Sequence, residues 1–185
     1  MLGLFGGVAA TAAAGALVIG GSATADSPAK RAGATVITMD RDGRDLFFEG
    51  PATVEAGTQL KIKNKTNPRT VGPHTFSLVR EKAIPEGKEQ IKRCERELRG
   101  MCGEIVRWHK VDLQTGEIGE NPVEVGKDGW DRKGDRKKKG DSWVSERKGQ
   151  SFKREVTAPV GKELTYFCAV HAAMRGSIEV VAPKG

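Results

Sequence analysis

The stretch Tyr166-Phe167-Cys168-Ala169-Val170-His171-Ala172-Ala173-Met174-Arg175-Gly176 holds a thiol, an imidazole and a thioether within seven residues. The residues before it, Glu163–Cys168, have the composition of a β-strand, and Ser177–Val181 behind it reads as another. A strand would deliver Cys168 to the rim of a sheet. A tight loop then turns His171 back towards the same point, and Met174 returns as the chain enters its last strand. Three side chains with metal-binding or nucleophilic chemistry are thus placed at one end of a β structure.

The same strand signals continue outward. Ser151–Thr157 precedes the stretch as a further strand, and Ala34–Met39 and Asp45–Phe48 are short β-rich runs separated by the turn Asp42-Gly43. Leu60, Ile62 and Asn64 alternate with Lys61, Lys63 and Lys65, which marks a strand with one wet face. His74, Phe76 and Leu78 alternate with Thr75, Ser77 and Val79, so His74 shares a face with two core-type side chains. Turn residues fill the gaps at Gly50-Pro51, Asn67-Pro68, Pro159 and Gly176. Short strands with such punctuation predict an all-β sandwich, with residues 33–185 forming one domain.

The middle of the chain breaks the pattern. Pro85–Arg99 is charged, with Ile91, Cys94 and Leu98 at spacings of three and four, which predicts a short helix stopped by Gly100. Glu104–Asp112 reads as another strand or hairpin arm, and residues 113–149, rich in Gly, Lys and Asp, read as long surface loops. Residues from about 80 to 150 therefore form a long charged insertion between the halves of the sandwich. They hold too few large apolar side chains for a core of their own.

The 185-residue chain carries a formal charge of +7. Residues 1–25 contain no charged side chain and end in an A-x-A pattern at Ala23-Thr24-Ala25, as a cleavable signal peptide does. Residues 26–32 follow as a flexible lead-in. Export to a periplasmic or extracellular, cell-envelope address is expected. Most of the positive excess is local: residues 126–154 hold eleven Lys/Arg against five Asp/Glu, including the run Arg136-Lys137-Lys138-Lys139. The stretch lacks a recognition motif of a nucleic-acid-binding fold, and nucleic acid is not expected as a partner. A solvated loop is the plain reading, and steering towards an acidic redox partner or an anionic membrane surface is the functional one.

An odd number of cysteines in an exported chain needs a reason. Cys94 and Cys102, eight apart, are close enough to be bridged, which an oxidising compartment favours over two buried thiols. Cys168 is left over. With His171, Met174 and a second imidazole from the inward face at His74, it makes two nitrogens, one sulfur and a weaker axial sulfur. That set is diagnostic of a blue-copper electron-transfer site holding one copper ion, because Cu(I) favours soft sulfur and Cu(II) favours nitrogen. Zinc fits poorly, since it is held by thiolate, imidazole and carboxylate ligands.

Cys168-x2-His171-x2-Met174 with Gly176 behind it, together with Gly72-Pro73-His74-Thr75-Phe76 upstream, resembles the cupredoxins, the plastocyanin/azurin family of type 1 copper domains. The short ligand loop is most similar to that of the amicyanin type. The resemblance covers residues 33–79 and 150–182 and implies a Greek-key β-sandwich and a one-electron carrier. Thr75 stands where family members often have an Asn bracing the Cys loop, and its hydroxyl is expected to substitute. Val170, Ala172 and Ala173 replace loop prolines and, with His171, form the expected electron port, where a redox partner would dock. The chain is expected to be monomeric. With three histidines in all, a second catalytic copper centre is not expected, nor an enzyme. The alternative is copper buffering or delivery in the envelope.

Overall fold

The computed structural model describes residues 34–124, 129–131 and 140–184. The expected signal peptide and lead-in, and the run Arg136–Lys139, lie outside the described residues. Nine strands form two sheets. The first has the order β2-β1-β4-β7, from β1 (Thr35–Asp42), β2 (Asp45–Glu49), β4 (Gln59–Asn64) and β7 (Ser151–Glu155). The second has the order β3-β9-β8-β5-β6, from β3 (Thr53–Glu55), β5 (His74–Leu78), β6 (Ser142–Ser145), β8 (Glu163–Phe167) and β9 (Arg175–Val181). Neighbours distant in sequence, such as β1 beside β4 and β5 beside β8, give the interleaving of a Greek key. The all-β sandwich read from the sequence is the fold.

Alternation along each strand explains the layering. Leu60, Ile62 and Asn64 are buried while Lys63 and Lys65 face solvent. Ile37, Met39, Leu60 and Ile62 of the first sheet pack on Phe76, Leu164, Tyr166, Ile178 and Val180 of the second. Phe76 stands at the centre of the aromatic core, 4.6 Å from Tyr166 and edge-on to Phe48 and Trp130. Gly176 pairs with Tyr166 across β8 and β9, and a Cβ at 176 would lie 2.8 Å from the tyrosine ring. The glycine after the ligand loop is therefore required by the ring that lies over it.

Between β5 and β6 the chain forms a 3-10 turn at Glu81–Ala83 and two helices, α2 (Gly87–Glu97) and α3 (Met101–Trp108); a short α1 (Pro68–Val71) precedes β5. The expected helix is present, ending with Leu98 in a left-handed conformation, two residues before Gly100. The expected strand over Glu104–Asp112 is instead mostly α3. Met101, Cys102, Ile105 and Trp108, buried at spacings of three and four, make an apolar helical stripe that starts before the charged residues on which the strand reading rested. Ser142–Ser145, read as loop, is strand β6, where Trp143 joins the core. Cys94 and Cys102 are joined by a disulfide that ties α2 to α3.

The helices build a second apolar cluster, but not alone. Ile84, Cys94, Cys102, Ile105 and Trp108 pack with Val79, Phe167, Ala169 and Ala172 of the sandwich and its ligand loop. The outward face of β5 is consequently buried as well: all five residues His74–Leu78 are buried, where alternation had suggested one wet face.

Candidate metal centre

The candidate donors come from the start of β5 and from the connection between β8 and β9. His74 opens β5 after Gly72, whose φ of 83° favours glycine, and Pro73 turn the chain out of α1. Cys168 follows the last residue of β8. His171 and Met174 belong to the loop that links β8 to β9. Two backbone bonds close that loop: the Cys168 N–H donates to the Met174 carbonyl at 2.9 Å, and the Met174 N–H to the His171 carbonyl at 2.8 Å.

His74, Cys168 and His171 come together, their donor atoms all within 4.8 Å of one another. Cys168 Sγ lies 3.9 Å from His74 Nδ1 and 3.6 Å from His171 Nδ1. The imidazole centroids are 4.8 Å apart. His74 and Cys168 are fully buried and His171 is partly exposed. Met174 is buried in the core cluster that also contains Cys168.

The hydrogen bonds fix which nitrogen of each ring carries the proton. The Thr66 N–H donates to Asn64 Oδ1 at 2.8 Å, so that atom is the acceptor end of the amide. The Thr66 hydroxyl donates to the same oxygen at 2.8 Å and has spent its only proton. It therefore accepts from His74 Nε2, 2.8 Å away, and His74 Nδ1 is left with a free lone pair. His171 Nε2 lies 2.7 Å from the Val71 carbonyl, an acceptor only, so His171 Nδ1 is likewise unprotonated. Asn64 is itself held by Ser145, to whose hydroxyl its amide donates at 3.0 Å.

Electrostatics agree. Burial, with the His171 ring next in effect, pushes His74 down from 6.5 to about 4. Burial also lowers His171, against the opposing pull of its bond to Val71 and the charge of Glu95. Both rings are neutral bases at pH 7. Burial pushes the Cys168 thiol up, while the N–H groups of Thr75, His171 and Val170 favour the thiolate. The Thr75 N–H lies 3.3 Å from the sulfur.

Two imidazole lone pairs and a sulfur surrounded by N–H donors are a set that could hold a soft-to-borderline cation. An ion about 2.0–2.3 Å from each donor is compatible with their separations. Each ring donates its remote N–H to an oxygen, the usual way in which a ligating histidine is oriented.

Thr75 accepts the Ala169 N–H on its hydroxyl at 2.8 Å, which ties β5 to the first residue of the loop. Among the port residues, Val170 is 37% exposed, and Ala173 is exposed. Ala172 is completely buried, a correction to its expected place at the port. The apolar stripe of the insertion covers it.

Several residues of the site had escaped the sequence reading. Asn64 and Thr66 carried a weak signal: a small polar residue at the inward position of an alternating strand, followed by a hydroxyl. Ser77, Ser142 and His109 had none. Ser77 Oγ lies 3.1 Å from Thr75 Oγ1 and 2.7 Å from Ser142 Oγ, which is 2.8 Å from His109 Nε2. His109 is 1% exposed, at the C-terminal end of α3 and beside Ser142 of β6. Its Nδ1 lies 2.7 Å from the Glu120 carbonyl.

No family model matches the chain, and no curated protein matches it. Among solved structures it is similar to sodium-dithionite-reduced auracyanin from the photosynthetic bacterium Roseiflexus castenholzii, at 18% identity and a TM-score of 0.38, over 81% of this chain and 98% of that one. It is also similar to auracyanin B, at 13% identity and a TM-score of 0.41, over 80% and 88% of the two chains.

Proposed function

We propose that this protein is an exported mononuclear type 1 copper protein that carries single electrons, with His74, Cys168 and His171 as the strong ligands and Met174 as a weaker fourth. The observation that carries this reading is the convergence of two unprotonated Nδ1 atoms and one Sγ, each locked from behind by hydrogen bonds. Bound there, a copper ion supplies a one-electron couple between Cu(I) and Cu(II). The chain's part is to hold the donors still. Thr66 and Val71 fix the rings, Thr75 fixes the start of the loop, and the N–H groups around Sγ set how much charge the sulfur keeps. Donors that cannot move keep reorganisation small, which suits fast transfer.

The partly exposed edge of His171, beside Val170 and Ala173, is the port in this reading. A redox protein docks there against a monomer, and the basic charge of the insertion steers an acidic partner or holds an anionic membrane surface. No helix among the described residues is long and apolar enough to cross a membrane. The Cys94–Cys102 disulfide supports an oxidising, extracytoplasmic address. Buffering or delivery of copper needs open, exchangeable donors, whereas His74 and Cys168 are fully buried. A catalytic role would need a second histidine cluster, and His109, the third of three, is engaged with Glu120 and Ser142.

The test is to add one equivalent of Cu(II) to the purified protein and record its visible spectrum. An intense blue thiolate-to-copper band that bleaches reversibly with a mild reductant is expected, and Cys168→Ser should abolish it in a folded protein. A colourless product, or one reduced irreversibly, would sink the carrier reading.

A further inference from the structure

The insertion reaches the candidate metal centre through one polar contact. Glu95, on α2, accepts the Ala172 N–H on its Oε1 at 2.6 Å. Ala172 lies between His171 and Met174, the two loop residues assigned to the ion. A carboxylate that accepts a backbone N–H makes a charge-assisted bond. Two features fix the carboxylate in place. Its neighbour Cys94 is buried and bridged to Cys102, which sets the rotation of α2 about its axis. The methyl of Ala172 is buried in the cluster that contains this disulfide, so loop and helix meet through an apolar and a polar contact side by side.

Among the described residues, Glu95 is the side chain that holds the loop at this point. Ala172 and Ala173 carry no ring to stiffen their backbone, and the two bonds that close the loop act at Cys168, His171 and Met174. The carboxylate also sets its field one residue from His171. The same field would favour the more positive oxidation state of an ion bound to that ring.

We propose that Glu95 is a positioning and charge-tuning residue of the copper site: its carboxylate fixes the backbone between His171 and Met174 and stabilises Cu(II) over Cu(I). The insertion is then a stapled clamp that supplies the rigidity a proline-free loop lacks. The tuning half rests on the copper assignment, and the positioning half does not.

Two variants of the full chain separate the roles. Glu95→Gln keeps an oxygen that can accept the Ala172 N–H but loses the charge, and Glu95→Ala loses both. Amide hydrogen exchange at Ala172 in the metal-free protein should accelerate at least tenfold in Glu95→Ala and change little in Glu95→Gln. The Cu(II)/Cu(I) equilibrium of the loaded protein should shift towards Cu(I) by about tenfold in both, equal to a rise of about 59 mV for a one-electron couple. Unchanged exchange in Glu95→Ala overturns the positioning role, and unchanged potentials in both variants overturn the tuning role. If the parent protein takes up no copper, the tuning role falls with the copper assignment, while the exchange measurement still decides the clamp.

Discussion

Acidifying the metal-free protein from pH 7 to pH 4.5 puts the buried His74 under direct test. In the folded chain this ring titrates near 4, against 6.5 when exposed, because burial and the neighbouring His171 disfavour its charged form. Between these two values the unfolded chain binds more protons than the folded one, so stability rises with pH and is lost as pH falls. One ring with those two values accounts for a loss of about 2.5 kcal/mol between pH 7 and pH 4.5, since one proton costs about 1.4 kcal/mol per pH unit across the window. His171 is lowered too and adds a loss of the same sign. Asp40, held down chiefly by its bond to Lys65, and Asp112, held down by the N–H groups of Thr115 and Gln114, lose their contributions below 3.8. At the alkaline end the slope reverses. The unfolded chain gives up the Cys168 proton first, and stability falls as pH rises beyond 9.0. Urea unfolding with chelator present, followed by tryptophan fluorescence, measures the curve. His74→Gln should flatten its acid limb by most of the roughly 2.5 kcal/mol. The same acid slope in this variant as in the parent would refute the reasoning, as would a parent curve flat from pH 7 to 4.5.

Replacing Cys94 and Cys102 together by Ala should lower the unfolding free energy by about 2.5 kcal/mol, the loop-closure value for a bridge across eight residues, read as a lower urea midpoint. Gly176→Ala places a methyl group 2.8 Å from the Tyr166 ring and should cost about 1–3 kcal/mol in the same assay. Thr75→Val keeps the volume but strands the Ala169 N–H, at a cost of about 1–3 kcal/mol. It should also shift the blue band of the copper-loaded protein, whereas Thr75→Ser should restore both.

The sandwich was legible because alternation records burial directly: Leu60, Ile62 and Asn64 announce a half-buried strand whatever surrounds them. The candidate donors were legible because a thiol, imidazole and thioether in one short loop are too costly a combination for a surface turn to collect idly. What escaped depends on covering layers, which a strand cannot report about itself. Thr75, Ser77 and Ser142 look like the wet side of a strand, yet they are buried, and His109 and Val123 of the insertion are set against Ser142. Glu104–Asp112 departs from the strand reading because most of its helical residues continue a stripe that begins before them, at Met101. Asn64 shows only as a polar residue at an inward strand position, and nothing in the sequence shows that Thr66 links it to His74.

The insertion and the metal centre are better understood as one structure than as a domain with an appendage. A chain that buries the second face of β5 must satisfy the hydroxyls it covers, and it does so through His109 and Glu120, which the insertion itself provides. In covering that face it also brings Glu95 onto the Ala172 N–H. The side chains that accept N–H groups of the loop after Cys168 therefore come from two sources: Thr75 from the sandwich, and Glu95 from a disulfide-bound helix. If rigidity of the donors is what the site needs, breaking either source should loosen the loop. Breaking both should do no more than add the two effects, because Ala169 and Ala172 are held by separate bonds at opposite sides of His171. A double variant, Thr75→Val with Glu95→Ala, that exchanges its loop amides much faster than this sum would show instead that the loop is held as one cooperative unit.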